Sequence, residues 1–209
     1  MIRVYIDFDS TLYETEIVKK RMNDMIADAV LSAKKNLDKE TLLNEVKQAK
    51  TSGIRDVFGL CKFFEEKYSL EKNYIKAVFD EFLANGEKIM YPDSIPFLKR
   101  LSQKDCEINI LTYTAKEGFA YQMQKLMGSG VLDYVDNFII CSRPKGELEL
   151  DYENAYFFDD NPKELISLFK AGVSEDRLFR IRRDGVGYSL IDITEFKPNE
   201  HKDFADINL

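Results

Sequence analysis

The hexapeptide Ile6-Asp7-Phe8-Asp9-Ser10-Thr11 (IDFDST) closes the first apolar run of the chain. Arg3 to Phe8 (RVYIDF) is β-branched and aromatic, as a short buried strand requires. Acidic residues are poor strand formers and repel one another, yet two stand one residue apart at the end of this strand. In extended backbone, residues i and i+2 point to the same side. Asp7 and Asp9 are therefore delivered together, and the rest of the chain must explain why.

From about Glu14 to Asn85 apolar residues return every three or four positions. Ile17, Met22, Met25, Ile26 and Val30 make one face, and Leu42, Leu43 and Val46 another. Phe63, Phe64 and Tyr68, then Tyr74, Val78, Phe79 and Phe82, continue the rhythm, which predicts a block of about four helices. After Gly86 the pattern changes to strands alternating with helices. INILTY (108–113), FIIC (138–141), AYFF (155–158) and LFRI (178–181) read as strands. Helices are expected after Pro96, over Phe119–Met127 and over Lys163–Lys170. GYSLIDITEF (187–196) reads as an edge strand or a docked tail. Short apolar strands alternating with helices predict an α/β fold, a Rossmann-like parallel-sheet core with helices on both faces. The core spans residues 1–14 and 87–209, and an all-helical cap spans 15–86. An insertion of that size after the first strand is expected to cover a site.

Composition narrows the function. Thirty Lys and Arg against thirty-seven Asp and Glu give a net charge of −7. That balance argues against a nucleic-acid polymer or an anionic membrane as partner. Cys61, Cys106 and Cys141 have no metal-binding spacing and read as reduced thiols, so a cytoplasmic protein is expected. The opening apolar run is interrupted too soon by Asp7 to read as a signal peptide, and no stretch approaches a membrane span. His201 is the single histidine, near the end of the chain, so chemistry must rest on oxygen ligands rather than imidazole.

In parallel α/β sheets ligands bind beyond the carboxyl ends of the strands. The first strand delivers Asp7 and Asp9, the INIL strand Thr112 and Thr114, and the AYFF strand Asp159 and Asp160. FIIC is followed by Ser142, Arg143 and Lys145. Carboxylates crowded in this way call for a hard divalent cation, and Mg²⁺ prefers such oxygen ligands. A phosphate group would then bridge the metal and a lysine. One carboxylate in line with phosphorus can act as nucleophile, and its neighbour two positions on can move protons. The Asp159-Asp160-Asn161-Pro162 run also suits the cap and first turn of a helix, a role compatible with metal binding.

The ordered set IDFDST, ILT, SRPK and FFDDN resembles the haloacid dehalogenase-like superfamily, in its phosphatase branch with a helical cap after the first motif. Asp7, Asp9 and Thr11 match its Asp-x-Asp-x-Thr motif, Thr112 its second, Lys145 its third, and Asp159 with Asp160 its fourth. Arg143 is the substitute for Lys145. The resemblance implies that Asp7 is the nucleophile and Asp9 the general acid/base. Thr112 and Lys145 would bind the phosphoryl group, helped by backbone N–H groups at Phe8 and Tyr113. Mg²⁺ would be held by Asp7, the backbone carbonyl of Asp9 and Asp160, with Asp159 assisting directly or through water. Ser10 stands where the family often has glycine, and Tyr113 where a small or amide side chain is common. The resemblance thus implies an Mg²⁺-dependent phosphatase for a small phosphorylated metabolite or nucleotide. A phosphotransferase or mutase, or a non-catalytic binding module, are the alternatives.

Overall fold

The structure, a computed structural model, describes residues 1–54 and 56–209. The chain begins with β1 (Ile2–Ile6) and continues through four helices: α1 (Thr15–Ala33), α2 (Lys39–Thr51), α3 (Val57–Lys67) and α4 (Tyr74–Ala84). It then alternates: α5 (Ser94–Leu101), β2 (Cys106–Tyr113), α6 (Phe119–Gly128), β3 (Asn137–Cys141), β4 (Ala155–Asp159), α7 (Pro162–Lys170), β5 (Leu178–Ile181) and β6 (Asn199–His201). The six strands form one sheet in the order β3-β2-β1-β4-β5-β6, and every pairing is parallel. β1 thus lies centrally, between β2 and β4. The α/β class expected from the alternation is the one observed.

Alternation along the strands explains the layers. Val4, Ile6, Ile108, Ile110 and Phe158 bury against α5 and α6 residues such as Phe97, Leu98 and Leu126. Tyr5, Leu111 and Phe157 point to the opposite face, where α7 contributes Leu165 and Leu168. Helices therefore cover both faces. The four inserted helices have an apolar cluster of their own, built on Ile26, Val30, Leu42, Val46, Leu60, Phe64, Ile75 and Phe79. No helix among the described residues is long and apolar enough to cross a membrane.

Of the two forms expected for residues 187–196, the chain takes the docked one and not the edge strand. Within the 187–196 stretch the chain forms a single 3₁₀ turn at Gly187–Leu190 and then docks Phe196, stacked on Phe169 at 4.6 Å. The edge strand follows it, at Asn199–His201. Three residues rich in polar side chains carry no alternation to read, and backbone pairing with β5 alone defines this strand.

Candidate active site

β1 ends at Ile6, and the chain turns at once. Leu12 and Tyr13 donate backbone N–H groups to the carbonyl of Phe8 at 3.0 and 2.9 Å. Ser10 takes φ +60° to close the turn, the left-handed conformation that glycine adopts without strain. A serine at a position where glycine is common is thus a strained serine in a glycine conformation. Ser10→Gly removes a penalty of about 1 kcal/mol, partly offset by the greater freedom of glycine in the unfolded chain. We expect a gain near 0.5 kcal/mol by chemical denaturation; a loss of stability would show that the serine side chain contributes more than its backbone costs.

The turn is tied down from two sides. Thr11 accepts the backbone N–H of Asp160 on its Oγ1 at 3.1 Å, joining the ends of β1 and β4. Arg183, buried just after β5, donates through Nε and Nη2 to the carbonyl of Thr11 and pairs with Asp93 at 2.9 Å. Its guanidinium stacks 4.1 Å from the centroid of the Tyr91 ring.

Asp7, Asp159 and Asp160 meet at the strand ends, with one oxygen of each within 4.8 Å of the others. All three are buried. Lys145 Nζ reaches both Asp7 Oδ1 at 2.7 Å and Asp159 Oδ2 at 2.5 Å. Its position depends on backbone packing. The Lys145 N–H donates to Glu164 Oε2 at 2.8 Å, and the Tyr152 hydroxyl donates to the Lys145 carbonyl at 3.2 Å. The next residue is glycine because α7 presses on it: a Cβ at Gly146 would lie 2.1 Å from the Ser167 carbonyl oxygen. Lys145, not Arg143, is therefore the cation of the site.

Three carboxylates share this one ammonium. Burial pushes the Asp7 carboxyl up to about 8, with the charge of Asp159 adding and that of Lys145 opposing. Asp160 is raised well above its ordinary value, first by burial and then by Asp7 and Asp159. Lys145 is buried, which alone would lower it, but Asp159 and Asp7 hold it above the usual lysine value. Among the described residues the cluster has acceptor capacity left over. Both oxygens of Asp159 are occupied, Oδ2 by Lys145 and Oδ1 by the N–H of Asn161 at 2.8 Å. Asp160 Oδ2 is buried and has no hydrogen-bond partner. An orphaned carboxylate oxygen beside two other carboxylates fits a hard divalent cation, and Asp160 is the better ligand of the fourth-motif pair.

Asp9 lies outside this cluster. Thr15 Oγ1 and Lys125 Nζ donate to its Oδ1, each at 2.5 Å, and Gln122 Nε2 donates to its Oδ2 at 2.7 Å. Burial opposes its ionisation, but Lys125 and these hydrogen bonds hold the carboxyl below its usual range. Any contribution of Asp9 to a metal would therefore come from its main-chain carbonyl. Thr112, at the end of β2, is buried behind the pocket, where its Oγ1 accepts from the same Gln122 Nε2 at 2.9 Å. That leaves the Thr112 hydroxyl hydrogen available. The sequence reading did not include Gln122, Lys125, Thr15 or Glu164. Gln122, Lys125 and Leu126 share the buried side of α6, and polar residues at core positions of an amphipathic helix were the available signal.

The cavity above these groups has a volume of about 330 Å³. Asp7, Asp9 and Asp160 line it from the strand ends, and Thr15, Val18, Lys19, Met22 and Val57 line it from the inserted helices. Thr112 and Lys145, expected at the phosphoryl group, lie behind this lining rather than in it, and lysines 116 and 163, read as solvated, do not line it either.

No protein-family model and no curated protein matches the chain. Solved structures do. The haloacid dehalogenase-like phosphatase of Thermococcus onnurineus superimposes with a TM-score of 0.63 at 20% identity, over 98% of this chain and 94% of that one. A haloacid dehalogenase-like hydrolase of Xanthomonas campestris gives 0.53 at 14% identity, over 98% and 91%. The L-2-haloacid dehalogenase of Xanthobacter autotrophicus, with chloropropionic acid covalently bound, gives 0.55 at 15%, over 99% and 96%. Strand order, the insertion after β1 and these superpositions lead to one conclusion: the chain has the haloacid dehalogenase-like fold.

Proposed function

We propose that the protein is an Mg²⁺-dependent phosphatase that hydrolyses a phosphomonoester of a small metabolite or nucleotide through an aspartyl-phosphate on Asp7. The observation that carries this reading is the pairing of two carboxylates with opposite environments. Asp7 sits in an electron-rich cluster beside Lys145, whereas Asp9 is held separately by three donors. Position, and not the ionisation of either carboxyl in the free site, assigns their tasks: Asp7 would ionise once a cation offsets its acidic neighbours, and Asp9, open to the cavity on one side, would relay protons.

Lys145 holds Asp7 Oδ1, so Oδ2 attacks phosphorus. As the ester P–O bond breaks, its electron pair goes to the leaving oxygen, which takes a proton that Asp9, ionised in the free site, relays from solvent. Water then attacks the phosphorus of the aspartyl-phosphate while Asp9 takes its proton. The Asp7 O–P bond breaks with its electrons returning to the carboxylate, Asp9 releases its proton to solvent, and both residues are restored. Lys145, bonded to Asp7, offsets charge on the nucleophile and the phosphoryl group, and Thr112 supports Gln122 from behind the cavity. Mg²⁺ would be held by Asp7, the Asp9 carbonyl and Asp160, with Asp159 beside them, and would supply further positive charge for the transferring group. The helices of residues 15–86 serve as the cap, and the side chains they place over the cavity limit access to small substrates.

A proton donor at position 9 favours phosphate esters over haloacids, because a departing halide needs no proton. A panel of phosphorylated metabolites, assayed with and without Mg²⁺ and without an added acceptor, tests the proposal. Inorganic phosphate should appear only with Mg²⁺. Phosphate release that requires a second substrate would favour a phosphotransferase or mutase, and no release at all would favour a binding module.

Metal binding has a separate readout. Mg²⁺ should raise the melting temperature of the wild type, a gain of about 2.7 kcal/mol at a hundredfold excess over Kd. Asp160→Asn should lose that shift and should be at least as stable as the wild type without metal, because it removes a buried carboxylate repelled by Asp7 and Asp159. A wild type indifferent to Mg²⁺ would contradict the assignment.

A further inference from the structure

We infer that Lys125 and Gln122 of α6 are positioning residues for Asp9, holding it where it can exchange a proton with the leaving group. The inference rests on the phosphatase reading above. The two residues are three apart and so share one helix face, and both are buried. Lys125 Nζ lies 2.5 Å from Asp9 Oδ1 and within 5.1–6.0 Å of the Phe8, Tyr13 and Tyr121 ring centroids. Gln122 Nε2 uses its two hydrogens on Asp9 Oδ2 and Thr112 Oγ1, so one amide fixes residues from both the first and the second strand end.

Acceptor counting shows what this arrangement does. An ionised carboxylate has about four acceptor positions. Thr15 and Lys125 occupy two on Oδ1, and Gln122 occupies one on Oδ2. One position on Oδ2 remains, and a quarter of the Asp9 side chain is open to the cavity. The carboxylate is thus held on three sides and available on one. A purely structural ion pair has no need to leave an oxygen facing a cavity, nor to share its donor with Thr112. The aromatic rings around the ammonium exclude water that would otherwise compete for Oδ1.

If Lys125 and Gln122 orient the proton carrier, their loss should matter most where the leaving oxygen needs a proton. An alkyl phosphate is such a substrate; p-nitrophenyl phosphate, whose phenolate departs unaided, is not. Lys125→Met and Gln122→Leu should lower kcat for an alkyl phosphate by about 100-fold. They should lower kcat for p-nitrophenyl phosphate by less than about fivefold and leave KM for both near the wild-type values. Lys125→Arg, which restores a cation, should recover part of the alkyl phosphate rate. In the Asp9→Asn background neither substitution should slow the alkyl ester further. Gln122→Leu retains the Lys125–Asp9 pair and provides the same readout if Lys125→Met does not fold. Equal slowing of both esters by the folded variants would overturn the positioning role while leaving the phosphatase reading intact. A wild type that turns over neither ester would overturn both.

Discussion

Asp7→Asn should abolish phosphomonoester turnover, by about five orders of magnitude, in a protein that folds at least as well as the wild type. The substitution keeps the shape of the side chain and an oxygen that can still accept from Lys145 at the present 2.7 Å distance. It removes the attacking electron pair, and the amide nitrogen cannot substitute for it. Stability should not suffer, because Asp7 ionises in its site only against burial and the charge of Asp159. A drop in activity accompanied by unfolding would indicate a structural role. Retained Mg²⁺-dependent turnover would refute the nucleophile assignment.

Lys145→Met should be the most damaging single change to stability in the site. The ammonium is the sole cation bonded to Asp7 and Asp159 among the described residues, and only 2% of its side chain is exposed. Replacing it with a thioether chain of similar length leaves Asp7, Asp159 and Asp160 without compensation. Removing one partner of a buried pair typically costs about 3–5 kcal/mol. Part of that cost is avoided if the carboxyls take up protons, so the loss should be larger at pH 9 than at pH 6. The sign follows from linkage: carboxyls whose folded values are raised bind more protons folded than unfolded, so lowering the pH toward their unfolded values favours the folded state. Turnover should fall by about 10²–10³-fold as the phosphoryl oxygens lose a donor. Melting curves of the variant at the two pH values, with and without Mg²⁺, provide the check. A variant within about 1 kcal/mol of the wild type at pH 9 would mean that Lys145 is not balancing the cluster's charge.

Much of this was legible because strand ends in a parallel sheet announce a site. IDFDST, ILT, and FFDDN each follow an apolar run, and the structure brings their acids and Thr112 to one end of adjacent strands. Lys145 was harder to read, since it belongs to a loop after β3, and its placement comes from Glu164, Tyr152 and the packing of α7 against Gly146, which no local pattern announces. Gln122 and Lys125 lay within a helix that reads as ordinary amphipathic sequence. Nothing local signals that a lysine on such a helix will meet an aspartate 116 positions earlier. β6 was unreadable for a different reason: a three-residue edge strand has too few positions for a period of two to emerge.

In the proposed reaction the phosphoryl group passes to Asp7 and then to water. The direct test is to acid-quench the wild-type protein during turnover of p-nitrophenyl phosphate with Mg²⁺, reduce with borohydride and map the peptides by mass spectrometry. Borohydride reduces an acyl phosphate to an alcohol and leaves a free carboxylate untouched. Homoserine is expected at position 7, with Asp9 unmodified. Turnover without reduction at position 7, or reduction at another acid, would contradict the proposed reaction.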